Sequence, residues 1–125
     1  MICLDTSVLV EGLGAGGSMR HSLRETIVAG DRMVIPALVL CEWLRGPRLP
    51  EELRAQEALF PASEAIPFGP EEARIAADLY RTVKRPRGRE MDLAVAACAL
   101  SWNATLWTLN SADFQDIPGL LVRGR

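Results

Sequence analysis

Residues 91–109, MDLAVAACALSWNATLWTL, decide the fold. The only charge between Met91 and Trp102 is Asp92, so the helix expected there is apolar round its circumference and must be buried on nearly all sides. Ala104 to Leu109 follows directly as a strand. Outward from this pair toward the N-terminus, KRPRGRE at residues 84–90 breaks the pattern. Pro70 to Val83 reads as a helix with Ala73, Ala76, Ala77 and Tyr80 on one side, Ala65 to Phe68 as a strand, and Glu51 to Leu59 as a short charged helix. Pro36 opens a further helix, ALVLCEWLR, which Gly46-Pro47 closes. Met1 to Asp5 and Met33 to Ile35 read as short buried strands, separated by an amphipathic helix at Arg20 to Ala29 whose stripe is Leu23, Ile27 and Val28. On the C-terminal side Asn110 to Pro118 is a loop with one helical turn, and Leu120 to Val122 is a last strand. Strands alternating with helices imply parallel pairing through right-handed crossovers, hence an open α/β sheet covered on both faces. In such sheets chemistry gathers beyond the carboxyl ends of the strands.

A chain of 125 residues is expected to form one domain, residues 1–125, and its 49% hydrophobic and 24% charged residues exclude disorder as the main state. No apolar run approaches the ~18 residues that span a bilayer, and Asp5 interrupts the opening before a signal-type segment can form. A cytoplasmic protein is expected. Cys3, Cys41 and Cys98 lie far apart in apolar stretches, which predicts reduced, buried thiols and no disulfide. A net charge of −2 gives no global attraction for nucleic acid, so any such binding has to come from local charge or a bound cation. Lys84, Arg85, Arg87 and Arg89 supply a local patch just ahead of Asp92. Their plain reading is a solvated loop, and their functional reading is a rim along which substrate phosphates pass.

Four acids stand out. Asp5 closes the first strand, Glu42 is the only charge between Pro36 and Arg45, Asp92 opens the most buried helix, and Asp113 lies in the loop after the next strand. Each has an ordinary structural explanation: a cap for the helix after Asp5-Thr6-Ser7, an i,i+3 pair of Glu42 with Arg45, a first-turn acid at Asp92, an Asx-turn at Asp113. Gathered at one sheet edge, however, such carboxylates repel one another, and a divalent cation is the simplest remedy. Oxygen-only ligands favour Mg²⁺ or Mn²⁺, and carboxylate clusters of this kind serve phosphoryl transfer by lowering the pKa of a bound water. His21 is the sole histidine, so a two-histidine nuclease mechanism is excluded. Gly12, Gly14 and Gly17 spell G-x-G-x-x-G, but Thr6 to Glu11 separates them from the strand, and a flexible loop between two helices is expected instead of a dinucleotide site. Asp5-Thr6-Ser7 lacks the second aspartate of an aspartyl phosphotransferase. Of Trp43, Trp102 and Trp107, at least two are expected in the core.

The stretches MICLDTSVLVEGL, IPALVLCEWLRG, EMDLAVAACAL and LWTLNSADF, with IPGLLV behind them, cover nearly the whole chain in order. Together they resemble the PIN-domain ribonucleases found as VapC toxins in bacterial toxin–antitoxin pairs. The resemblance implies an open parallel five-stranded sheet sandwiched between helices, metal-dependent hydrolysis of single-stranded or structured RNA, and a homodimer held by an antitoxin. Residue by residue, Asp5, Glu42 and Asp92 match the three core metal acids, and Ser7 matches a small polar residue that orients the site. Asn110 stands where family members often carry an aspartate, and Asp113 stands at the position of a further acid. One firmly held Mg²⁺ is therefore expected, with a second arriving only alongside RNA. The rival expectation is an interaction module of the same fold that has lost the metal, and more remotely a nucleotide-binding module.

Overall fold

Strand β1 (Ile2–Leu4) runs through the interior of the sheet in the computed structural model, which describes residues 1–125. It pairs on one side with β2 (Met33–Val34) and on the other with β3 (Thr105–Trp107), and β3 pairs in turn with β4 (Val122–Arg123). Every pairing is parallel. Helices α1 (Thr6–Leu13) and α2 (Arg20–Val28) carry the chain from β1 to β2. Helices α3 (Ala37–Arg45), α4 (Pro50–Leu59), α5 (Pro70–Thr82) and α6 (Glu90–Ser101) carry it back across β1 to β3. The two crossovers run in opposite directions, and right-handedness sends their helices to opposite faces. The direction reverses between β1 and β3, so the crevice of the fold opens at the carboxyl ends of these two strands.

The sheet has four strands instead of the expected five. The segment expected as a strand at Ala65 to Phe68 contributes a single parallel bridge, Ile66 opposite Pro36. Ile66 donates to the Ile35 carbonyl and accepts from Ala37 N–H, and there the ladder stops. Pro36 on one side and Pro67 on the other lack the N–H groups that a longer ladder requires.

Burial follows the expected pattern at α6, where Leu93, Val95, Ala96, Ala97, Cys98 and Ala99 are all buried. Most of these residues join Leu4, Val8, Leu9, Trp43, Leu106, Trp107 and Phe114 in one hydrophobic cluster. Trp43 and Trp107 are fully buried while Trp102 lies at the surface, as packing of two of the three tryptophans requires. Three expectations change. In α2 the inward residues are Leu23 and Thr26, while Ile27 and Val28, expected on the stripe, are exposed, Val28 to 80%. In α5 the inward stripe is Glu72, Ile75, Ala76 and Leu79, with Ala73, Ala77 and Tyr80 on the outer face. Alanine is small enough for either face and gives no direction, whereas Ile75 and Leu79 pack against the core and set the rotation of the helix. Cys3 and Cys98 are buried free thiols, but Cys41 is exposed, on the outer side of α3. No helix is long and apolar enough to cross a membrane.

The loop from Gly14 to Met19 is pinned where flexibility was expected. Glu52 accepts from Ala15 N–H at 2.9 Å, and Glu11 accepts from both the backbone and the hydroxyl of Ser18. Gly17 answers to close approach: a Cβ there would lie 2.0 Å from the Glu11 carbonyl oxygen. Gly17→Ala should therefore force the backbone apart and destabilise the protein by about 1–3 kcal/mol in urea unfolding. Gly16→Ala, where a Cβ meets nothing but φ is +70°, should cost about 1 kcal/mol from strain alone. Equal stability of the Gly17→Ala variant and the parent chain would remove the packing argument.

Candidate functional site

Asp5 emerges from the carboxyl end of β1 beside β3, since its N–H donates to the Trp107 carbonyl at 3.0 Å. It caps α1 through an Oδ1 that accepts from Thr6 N–H at 2.9 Å. The other carboxylate oxygen accepts from the buried Thr108 hydroxyl at 2.7 Å and, at 3.5 Å, from Ser7. Capping and site-building thus fall on the same residue. The carboxylate is almost fully buried, and no cationic side chain touches it. Burial pushes its pKa up, the hydrogen bonds from Thr108 and Thr6 hold it down, and the neighbouring Glu42 adds a further rise.

Glu42 projects from the second turn of α3, half-buried. Its Oε1 accepts from the Thr6 hydroxyl at 2.9 Å, and its Oε2 lies 3.6 Å from Arg45. The i,i+3 pair with Arg45 exists, but the arginine is largely exposed and the pair is weak. Asp92 sits in the first turn of α6, where the free N–H groups of the helix favour an anion. It too is half-buried. Desolvation raises its pKa first, and Asp5, Asp113 and Glu42 raise it further, against a smaller opposing pull from Arg89. Asp113 lies exposed in the 3₁₀ turn at residues 111–114. All four predicted acids therefore share one electrostatic neighbourhood at the carboxyl edge of β1 and β3.

The supporting residues divide. Ser7 is inside the network, accepting from Leu109 N–H at 3.0 Å and lying within 3.5 Å of Thr108. Asn110 is exposed, and it is tied to the site through a backbone N–H donated to the Thr108 hydroxyl at 3.0 Å. Lys84, Arg85 and Arg87 project to solvent on the loop before α6. Arg89 is tied down: its guanidinium forks Asp116 at 2.9 and 2.6 Å and donates to the Asp113 carbonyl at 2.9 Å. Lys84, Arg85, Arg89, Ala112, Asp113 and Asp116 line an open cavity of about 550 Å³. Thr6, Thr108 and Asp116 do not stand out in the sequence. The one hint for the two threonines is their position, directly after Asp5 and at the end of the strand before Asn110.

The donor set is all oxygen and carries more negative charge than its surroundings compensate, which suits a hard divalent cation. No three of the carboxylates converge on a common point. The arrangement thus suits an ion held by one or two carboxylates and completed by water, the habit of Mg²⁺.

The PIN domain family model matches residues 2–120. Among solved structures, the chain superposes on VapBC2 from Rickettsia felis bound to a DNA fragment from its promoter, with TM-score 0.78, 22% identity and coverage of 100% of this chain and 99% of that one. DNA-bound VapBC from Salmonella typhimurium gives TM-score 0.79 at 19% identity, covering 98% and 96%. A toxin–antitoxin complex from Klebsiella pneumoniae gives 0.73 at 24%, covering 97% and 96%. At these identities the likeness carries the fold. No curated protein matches the chain.

Because the raised pKa of Asp92 makes its ionised form the costlier one in the folded state, that cost is absent below the ordinary carboxylate range and complete once pH has risen through the raised value. Asp92→Asn should then melt a few degrees higher than the parent chain in metal-free buffer at about pH 7.5, and the gain should shrink as pH falls and vanish by about pH 3. A lower melting temperature for the variant at neutral pH would contradict the repulsion described above.

Proposed function

The chain belongs to the PIN-domain family, and from that premise we propose that it is a Mg²⁺-dependent endoribonuclease, the toxin component of a toxin–antitoxin pair. One observation carries the reading: at the switch point of the sheet Asp5 is buried with no cation set against it, and burial together with the neighbouring acids holds both Asp5 and Asp92 above the ordinary carboxylate range. Asp5 and Asp92 would hold the ion directly, and Glu42 and Asp113 would act on it through bound water. The bound cation would supply Lewis-acid stabilisation of the phosphodiester and a lowered pKa for the attacking water. The remaining work belongs to the chain. Thr108 and Thr6 N–H fix both oxygens of Asp5, the Thr6 hydroxyl fixes Glu42, and Ser7 ties the loop after β3 to α1. Lys84, Arg85 and Arg87 would contact the phosphates of RNA, sequence-independently.

The partner side of the reading rests on the surface beside β2. Ile27, Asp31, Met33, Leu59 and Phe60 line an apolar hollow of about 170 Å³, and Val28 stands exposed nearby. An antitoxin segment with apolar anchors suits this surface, and its arginine suits the uncompensated carboxylates. Residues 1–125 would act as one nuclease domain in the cytoplasm, as a homodimer. A second reading, a module of the same fold that binds partners without catalysis, draws on the lack of three converging carboxylates.

The purified chain should cleave total RNA in Mg²⁺ or Mn²⁺ and stop in EDTA. Asp5→Asn and Asp92→Asn should each lower the rate about a hundredfold or more. Intact RNA under all these conditions would favour the non-catalytic module. Alanine at Lys84, Arg85 and Arg87 together should weaken RNA binding and flatten its salt dependence by up to about 3 in slope, without altering metal affinity. An unchanged salt slope would assign that loop to the antitoxin interface or to solubility.

A further inference from the structure

The loop before α6 and the turn after β3 lead into the site acids Asp92 and Asp113, and one side chain joins them. Arg89 directly precedes α6, and its carbonyl accepts from Leu93 N–H. Its guanidinium uses every terminal N–H. Nη1 donates to Asp116 Oδ2 at 2.9 Å and to the Arg85 carbonyl at 3.5 Å; Nη2 donates to Asp116 Oδ1 at 2.6 Å and to the Asp113 carbonyl at 2.9 Å. The arginine side chain is only 20% exposed, so this is no loosely solvated surface pair. The same charge lies near enough to Asp92 and Asp113 to attract both carboxylates. An arginine in that position has two uses for its charge: the fork with Asp116, or neutralisation of the acids.

We propose that Asp116 is a positioning residue that engages Arg89 in a bidentate fork and so keeps an internal counter-ion off Asp92 and Asp113, leaving their carboxylates free for a divalent cation. The inference rests on the reading of the acid cluster as a metal site. In the fork, both carboxylate oxygens of Asp116 are matched to the planar guanidinium, a geometry that neither Asp92 nor Asp113 shares. Without Asp116 the charge of Arg89 loses its partner, and the site acids that already attract it become its remaining counter-charge. The arginine would then compete with the metal. This sets Arg89 apart from Lys84, Arg85 and Arg87, which keep free donors for phosphate.

Mn²⁺ binding to the full chain, followed by electron paramagnetic resonance of the free ion, tests the assignment without relying on activity. Asp116→Asn should weaken binding about three- to tenfold. Arg89→Gln, which removes the fork and the charge together, should leave binding equal to the parent or tighter. Asp116→Glu, which restores a carboxylate, should recover most of the loss. Weaker binding in Arg89→Gln would show that the fork is only a brace and would overturn the proposal, as would unchanged binding in Asp116→Asn. Circular dichroism reports whether each variant folds, and Arg89→Gln decides the question even if Asp116→Asn does not. Absence of saturable Mn²⁺ binding in the parent chain itself would remove the metal-site reading along with this inference. That result is distinct from a parent that binds while both variants behave alike.

Discussion

A carboxylate buried without a counter-cation is the constraint on which the architecture turns. Asp5 is 8% exposed, and what makes its burial tolerable is a set of donors drawn from both sides of the sheet's switch point: the first N–H of α1 and the hydroxyls of Thr108 and Ser7. The shortest of these bonds, from Thr108, exists only when β1 and β3 are in register, because Thr108 reaches Asp5 by following Trp107, the partner of Leu4. The register of the central strands and the placement of the candidate site are therefore one requirement.

The rest of the site is arranged round that point at graded depth. Asp5 is buried, Glu42 and Asp92 are half-buried, and Asp113 is exposed, so the carboxylates run from the floor of the crevice to its rim. Cations are distributed in the opposite sense: none at Asp5, a partial counter-charge from Arg89 near Asp92, and free Lys84, Arg85 and Arg87 outside. A polyanion approaching such a surface meets positive charge first and uncompensated carboxylates last.

The acids are legible because each is a lone charge in an apolar setting, and a buried charge is expensive enough to demand a reason. Asp92 in MDLAVAACALSW and Glu42 in ALVLCEWLR announce themselves this way. Thr108 cannot, since a threonine in a strand is an ordinary β-former and its partner lies 103 residues away. Arg89 reads like its neighbours because local charge density does not distinguish a free guanidinium from one engaged by Asp116, 27 residues on. The fifth strand fails for a reason that is present in the sequence: Pro67 adjoins Ile66, and proline cannot sustain a ladder. The face of α5 is misread because alanines carry no preference between core and solvent.

The distance in sequence between Asp5 and Thr108 bears on when the site comes into being. The pairing of β1 with β3 is the most non-local contact of the sheet, closing a loop of about a hundred residues, and such closures form late and slowly. During synthesis the N-terminal strand leaves the ribosome first, yet it finds only β2 to pair with until β3 follows. Until then Asp5 lacks the Thr108 hydroxyl, and Asp92 has no neighbouring strand to set it against Asp5. A partly made chain thus carries three of the four acids without the geometry that joins them, and the crevice takes its form only once the sheet is complete.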